Sequence, residues 1–161
     1  ITLGDARLTL AKVPTGSFDI LAIDAFSSDA IPIHLLTKEA FNIYRRALAP
    51  NGLLMVHISN RYIDLNPVVS AEARAGGWTA AMRYDRPTEE DEGMGARPSQ
   101  WIAMSQDAAQ IARLAGPLAK ENPVYYKPDL WLTLDSPDGS KLWTDDYASV
   151  LPHLAYWKEI K

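Results

Sequence analysis

Two apolar segments joined by an amphipathic helix place the strongest constraint on how this chain can fold. The first segment is Phe18–Ile23, interrupted only by Asp19, and the second covers residues 53–58. Both have the length and continuity of strands that are buried on both faces of a parallel sheet. Between them, Thr37 is a suitable N-cap for a helix that the turn at residues 50–52 ends. This strand–helix–strand unit predicts an α/β protein.

The same alternation continues along the rest of the chain. Helical patterns cover residues 67–75 and 108–120, and strand-like runs cover residues 1–3, 78–84 and 100–105. The predicted order is β-α-β-α-β-α-β-β-α, with an antiparallel hairpin formed by the last two strands. A chain of 161 residues is long enough for one hydrophobic core. We therefore predict a single α/β domain over residues 1–161 with a mostly parallel, Rossmann-like sheet.

The composition argues against several classes of function. A net charge of −4 with scattered Lys and Arg offers no basic surface for nucleic acid. The sequence contains no Cys, so disulfides, thiol catalysis and Cys-based metal sites are excluded. No apolar run approaches the roughly 18–20 residues of a membrane helix and no secretory signal is visible, so we expect a cytoplasmic protein.

Three further groups of residues give little indication of a functional site. His34 and His57 lack the spacing of a metal-binding pair, so no metal site is predicted. Ser27 and Ser28 lack the G-x-S-x-G context of a hydrolase nucleophile. Five aromatic residues could cover a cationic substrate, but core positions are the simpler interpretation for them: Tyr125, Tyr126, Trp131, Trp143 and Tyr147.

Asp24 is the most informative polar residue, because it ends the first apolar run. Desolvating a carboxylate costs several kcal/mol unless a cation or a hydrogen-bond donor meets it. Asp24 is therefore either a strand-end cap or a ligand contact. Ligands of α/β sheets bind outside the carboxyl ends of the strands. Because Asp5 and the pair Ser59-Asn60 also follow predicted strands, we expect a site at this edge.

Three stretches of the chain resemble a known family. GDARLTL, FDILAIDAFSSDAIPIHLLTKEAF and LAPNGLLMVHISNRY resemble, in order and spacing, the spermidine synthase (polyamine aminopropyltransferase) family, from residue 1 to about residue 106. The resemblance implies the fold of S-adenosylmethionine-dependent methyltransferases, whose strand order is 3-2-1-4-5-7-6. It covers the C-terminal two thirds of that fold, strands 3–7. IPIHLLTKEAF and LWTDDYASVL look most like bacterial relatives, some fused to membrane transporter domains.

The resemblance implies roles for individual residues. Gly4, Asp5 and Ala6 match the family's Gly-Asp-Gly/Ala turn, whose Asp binds the adenine amino group of the nucleoside cofactor. Asp24 matches the catalytic Asp that holds the attacking amine and takes its proton, and Asp29 is the candidate for a second substrate-binding acid. The implied reaction is aminopropyl transfer from decarboxylated S-adenosylmethionine to an amine. Neither nucleoside nor amine is expected to be needed for folding.

Two departures from the family pattern argue against putrescine as the acceptor. The family's two Asp residues are three positions apart, whereas Asp24 and Asp29 are five apart, so Asp29 is more simply a loop or capping residue. His57 stands where polyamine-making members carry Gln. The alternatives that stay open are an S-adenosylmethionine-dependent methyltransferase and a non-catalytic interaction module of the same fold.

The family's glycine-rich loop and ribose-binding acid precede the part that residue 1 matches. We therefore expect a truncated domain that binds the nucleoside poorly and is inactive alone. Without family strands 1 and 2, the strand around Ile20–Ile23 becomes an exposed apolar edge. Long apolar edges pair with other chains, which predicts a homodimer through this strand.

Overall fold

The computed structural model describes residues 1–25, 32–115, 131–134 and 140–154. The helices are α1 (Ala6–Leu10), α2 (Lys38–Ala47), α3 (Asn66–Ala75), α4 (Glu89–Gly93) and α5 (Ala108–Ala115), with 3-10 turns at Ile33–Leu35 and Leu151–His153. The strands are β1 (Phe18–Ile23), β2 (Leu48–His57), β3 (Thr79–Asp85), β4 (Ser99–Ser105) and β5 (Trp131–Thr133). The predicted α/β class is confirmed. No helix in these ranges has the length and apolar character needed to cross a bilayer.

The five strands form one mixed sheet in the order β1-β2-β4-β3-β5. The β3–β4 hairpin is confirmed, and the run β1-β2-β4-β3 reproduces the 4-5-7-6 half of the methyltransferase strand order. The pairing differs from the expected mostly parallel sheet in one respect. Only β1 and β2 pair in parallel among the described strands, because β4 runs antiparallel between β2 and β3, and β5 pairs antiparallel with β3.

Strand β2 contains the residues that were predicted to form a turn. It begins at Leu48 and so includes residues 50–52. Phe18 lies opposite Leu48, but Ile20 lies opposite Leu53, so the register of the β1–β2 pair shifts there. The extra residues are absorbed as an irregularity at the start of the strand. The Pro and Gly of this segment therefore lie within the irregular start of β2, which directly follows α2.

The helices cover the two faces of the sheet unequally. Helices α2 and α3 pack on one face, where Thr37 caps α2 as predicted by accepting a hydrogen bond from the Ala40 amide. Helix α5 covers part of the other face through Ile111. The core prediction for the aromatic residues is confirmed for Trp131 and Trp143, whereas Tyr147 is half exposed. Tyr125 and Tyr126 lie outside the described residues.

Strand β1 forms an edge of the sheet, as predicted, whereas residues 1–3 form no strand. Ile20 on this edge is 65% exposed. The homodimer stays a prediction. We expect Ile20→Lys to convert a dimer into a monomer, because a charge on the edge opposes strand pairing. Sedimentation equilibrium measures this, with Leu114→Lys on α5 as a control that should remain dimeric. A monomeric wild-type chain would contradict the prediction.

Glu72 on α3 is buried, and its Oε1 has no hydrogen-bond partner among the described residues. Burial, reinforced by the charge of Glu39, raises the pKa of Glu72 from 4.5 to about 8. Between these two values the unfolded chain releases the proton and the native chain keeps it. Stability therefore falls as the pH rises through this range.

Replacing this buried acid by its amide is expected to stabilise the protein at alkaline pH. Glu72→Gln should raise the Tm by about 2–6 °C at pH 9 and change it little at pH 4.5, since the unfavourable ionisation is removed. Thermal unfolding at both pH values measures the difference. Glu90→Gln on the exposed α4 is the matched control, and an equal effect of Glu72→Gln at both pH values would contradict the assignment.

Candidate active site

Asp24 follows the last residue of β1 and lies at the carboxyl end of the parallel pair β1–β2. Its side chain is 58% exposed. The carboxylate is therefore accessible from solvent. It lies at the edge where ligands of α/β sheets bind.

A chain of hydrogen bonds connects Asp24 to the next strand. His57, the last residue of β2, lies with Nδ1 2.7 Å from Asp24 Oδ1 and with Nε2 2.6 Å from Ser59 Oγ. The Gln100 amide donates to the same Ser59 oxygen at 2.7 Å. The His57 ring also stacks on Trp101, with the ring centroids 4.7 Å apart. The imidazole is thus held by contacts at both nitrogens and on one face.

The donor and acceptor roles in this chain follow from the groups at its ends. An ionised carboxylate can only accept, so His57 Nδ1–H donates to Asp24. In the tautomer that carries its proton on Nδ1, Nε2 accepts from the Ser59 hydroxyl, whose oxygen also accepts from the Gln100 amide. The hydrogen-bonded chain therefore runs from the Gln100 amide through Ser59 and His57 to Asp24.

Sequence reasoning identified Asp24 and placed Ser59 at the same edge, but it did not include His57 in the site. The signal that could have found His57 is its spacing from Ser59. Residues two apart on an extended segment face the same side, so His57 and Ser59 at the end of β2 present both side chains to one surface. Their approach to Asp24 depends on the β1–β2 pairing, in which Ile23 lies opposite Val56.

An open cleft of about 530 Å³ adjoins the Ser59 end of this chain. We call it the arginine cleft, and its lining residues are Ser59, Asn60, Arg61, Tyr84, Arg97, Pro98 and Gln100. It lies where β2 and β3 end and β4 begins, since Tyr84 is paired with Gln100. None of these lining residues is acidic.

The Gly4-Asp5-Ala6 turn is built around the start of α1. Gly4 has a φ of +137°, which side-chain-bearing residues rarely adopt. Asp5 caps the helix, with Oδ1 accepting from the Leu8 amide at 2.9 Å, and its Oδ2 lies 3.0 Å from His34 Nε2. The Leu8 hydrogen bond, assisted by the charge of His34, lowers the pKa of Asp5. Asp5 is therefore an ionised acceptor whose two oxygens are both in contact with neighbouring groups.

Arg7 links this turn to residues that are far away in the sequence. Its guanidinium forms a two-pronged pair with Asp145, with Nη1 2.7 Å from Oδ1, and donates to the His34 carbonyl at 3.2 Å. The Thr37 hydroxyl donates to Asp145 at 2.9 Å. The hydrogen bond from Arg7 lowers the pKa of Asp145 to about 2. A second cleft of about 570 Å³ opens beside these groups.

The predicted site residues fall into two groups in the structure. Asp24 joins His57, and Asp5 joins His34, each through a carboxylate–imidazole contact. Asp24 follows a strand of the sheet as predicted, whereas Asp5 does not, because residues 1–3 form no strand. Asp29 lies outside the described residues, and no cluster that could hold a metal ion occurs in the described ranges.

The fold that carries these groups is similar to that of a solved structure. The similar structure is a crystal structure of a probable spermidine synthase from Corynebacterium glutamicum ATCC 13032, with a TM-score of 0.58 and 18% sequence identity. The alignment covers 92% of this chain and 55% of that one, so the chain spans about half the length of the synthase. This similarity shows a spermidine-synthase-like, methyltransferase-type fold. No protein-family model and no curated protein matches the sequence.

Proposed function

We propose that this chain belongs to a transferase that moves an alkyl group, an aminopropyl group in the first instance, from an S-adenosyl donor to an amine. The observation that carries the proposal is the exposed Asp24 carboxylate, oriented by His57 at the carboxyl edge of β1 and β2. The spermidine-synthase-like fold supports the class of reaction, and the resemblance of Asp24 to the family's catalytic Asp supports its role.

Asp24 would act on the proton of the acceptor. A primary amine has a pKa near 10 and arrives as an ammonium, which cannot attack carbon. Asp24 attracts this cation and takes one proton from it. The amine nitrogen then forms a bond to the carbon beside the sulfonium, the carbon–sulfur bond breaks, and its electron pair stays on sulfur as a neutral thioether. His57 holds the carboxylate in place through the Nδ1–H bond.

The Asp5 turn fits a nucleoside. An ionised carboxylate offers about four acceptor positions, and the Leu8 amide, the Arg7 amide and His34 occupy three of them. Asp5 could therefore accept from an adenine amino group without releasing the cap of α1. A bound S-adenosyl nucleoside would supply the electrophilic carbon.

Calorimetric titration of 5′-methylthioadenosine, the expected by-product of aminopropyl transfer, tests the nucleoside site. We expect the full natural protein to bind it and Asp5→Ala to bind about tenfold more weakly, since a charged acceptor is lost. Asp107→Ala, at the start of α5, is the control and should bind like wild type. Failure of the full protein to bind would contradict the proposal and favour a non-catalytic module of the same fold.

A second candidate function follows from the order Ser59–His57–Asp24, which is the contact order of a hydrolytic triad. The Gln100 amide bond to Ser59 Oγ favours a structural hydroxyl over a nucleophile, because it ties that oxygen to β4. Assays of Ser59→Ala separate the two functions. Hydrolysis of a p-nitrophenyl ester that disappears in this variant would support a hydrolase, whereas amine transfer that persists would support the transferase.

A further inference from the structure

We propose that the arginine cleft binds an anionic group of the acceptor, so that the acceptor is an amine that also carries a carboxylate or a phosphate. This inference rests on the proposed function and names its substrate class. Its starting point is the position of Ser59, which lines the cleft and is also the last member of the hydrogen-bonded chain from Asp24. An acceptor whose amine contacts Asp24 would lie along this hydrogen-bonded chain, with its other end in the cleft.

The charges of the cleft favour an anion. Arg61 and Arg97 line it, and both side chains are exposed. Neither forms an ion pair with a carboxylate in the part of the chain that the structure describes. A third guanidinium, that of Arg86, lies over the ring of the lining residue Tyr84 at 5.7 Å. Planar guanidinium groups match carboxylate and phosphate oxygens through paired hydrogen bonds.

Hydrogen-bonded turns hold the backbone on both sides of the cleft. Asn60 Oδ1 accepts from the amides of Tyr62 and Ile63, each at 2.9 Å, and so fixes the turn that carries Arg61. The Ala96 amide donates to the Asp91 carbonyl at 2.9 Å, which fixes the residue before Arg97. A ligand would therefore order two side chains and not two loops, which keeps the entropic cost of binding small.

The same charges disfavour a diamine. With one ammonium at Asp24, the far ammonium of putrescine would approach two guanidinium groups and no carboxylate among the described lining residues. Like charges in the cleft repel each other. A carboxylate at the far end of a chain of the same length would be attracted instead. The cleft thus discriminates between acceptors by the charge of the distal group.

Matched acceptors test this discrimination directly. 4-Aminobutyrate and putrescine have the same chain length and differ in the distal group, and 2-aminoethyl phosphate replaces the carboxylate by a phosphate. We expect calorimetry on the full natural protein to show binding of one of the two anionic amines at least about tenfold tighter than that of putrescine. The tighter of the two identifies the source of the anion. Putrescine binding as tightly as both would overturn the inference.

A double substitution places the anion in the cleft. Arg61→Gln/Arg97→Gln should weaken binding of the preferred anionic amine by about tenfold or more and leave putrescine unchanged or improved. Arg74→Gln/Arg113→Gln removes two exposed positive charges from α3 and α5 and is the matched control. Equal weakening by both double variants would mean a general effect of net charge and would overturn the site.

Transfer assays separate this inference from the proposed function. Transfer to the anionic amine with a kcat/KM that falls only in the Arg61→Gln/Arg97→Gln variant supports both. Transfer that prefers putrescine supports the proposed function and overturns the inference. Arginine-dependent binding of the anionic amine without transfer to any amine overturns the proposed function, and with it the assignment of the cleft to an acceptor.

Discussion

Replacing Asp24 by Asn should lower the rate of transfer by about 10²- to 10⁴-fold at neutral pH, the range expected for loss of a general base. The amide keeps the size of the side chain and can still accept from His57 Nδ1–H, so the local structure should persist. It cannot take the proton of the ammonium. We would measure kcat/KM of the full natural protein with the donor and the preferred amine.

The pH dependence of this defect distinguishes a base from a structural residue. As the pH approaches about 10, more of the amine is already deprotonated, so the deficit of Asp24→Asn should shrink. Asp19→Asn, at the other end of β1 and also exposed, is the matched control and should retain wild-type activity. A deficit that stays constant up to pH 10 would contradict the role of Asp24 as the base.

Replacing Trp143 by Ala should lower the free energy of unfolding by about 3–5 kcal/mol, the usual cost of removing a large buried aromatic side chain. Trp143 is 1% exposed and belongs to the main core with Phe41 and Val68. Its carbonyl also accepts from the Lys38 amide at 2.8 Å at the start of α2. The residue thus joins the segment around Asp145 to the core that supports the site.

Chemical denaturation measures this loss, provided that the unfolding is two-state. Leu151→Ala, in the same segment but 72% exposed, is the control and should change the free energy of unfolding by less than about 0.5 kcal/mol. A comparable change in both variants would show that the segment does not pack as described. Trp143→Phe should recover part of the loss, because a ring remains in the cavity.

The sequence by itself determined the α/β class, the positions of most elements and the strand end that carries Asp24. Strand β1 has the predicted bounds, because an apolar run of strand length has few other ways to be buried. Thr37 begins α2 as predicted, because a hydroxyl there satisfies an unpaired amide of the first turn. Asp24 was found for a related reason, since a carboxylate at the end of such a run calls for a partner.

Only the tertiary structure decided which residues meet at that strand end. His57 contacts Asp24, and Ser59 contacts the Gln100 amide, because β2 lies between β1 and β4. Asp24 and His57 are 33 residues apart in the sequence, and Ser59 and Gln100 are 41 residues apart. Local patterns predict an element and its exposed face, but not its neighbours in the sheet. The strand order depends on how the apolar faces of all the elements are buried together. This order brings together the residues of the hydrogen-bonded chain and of the arginine cleft.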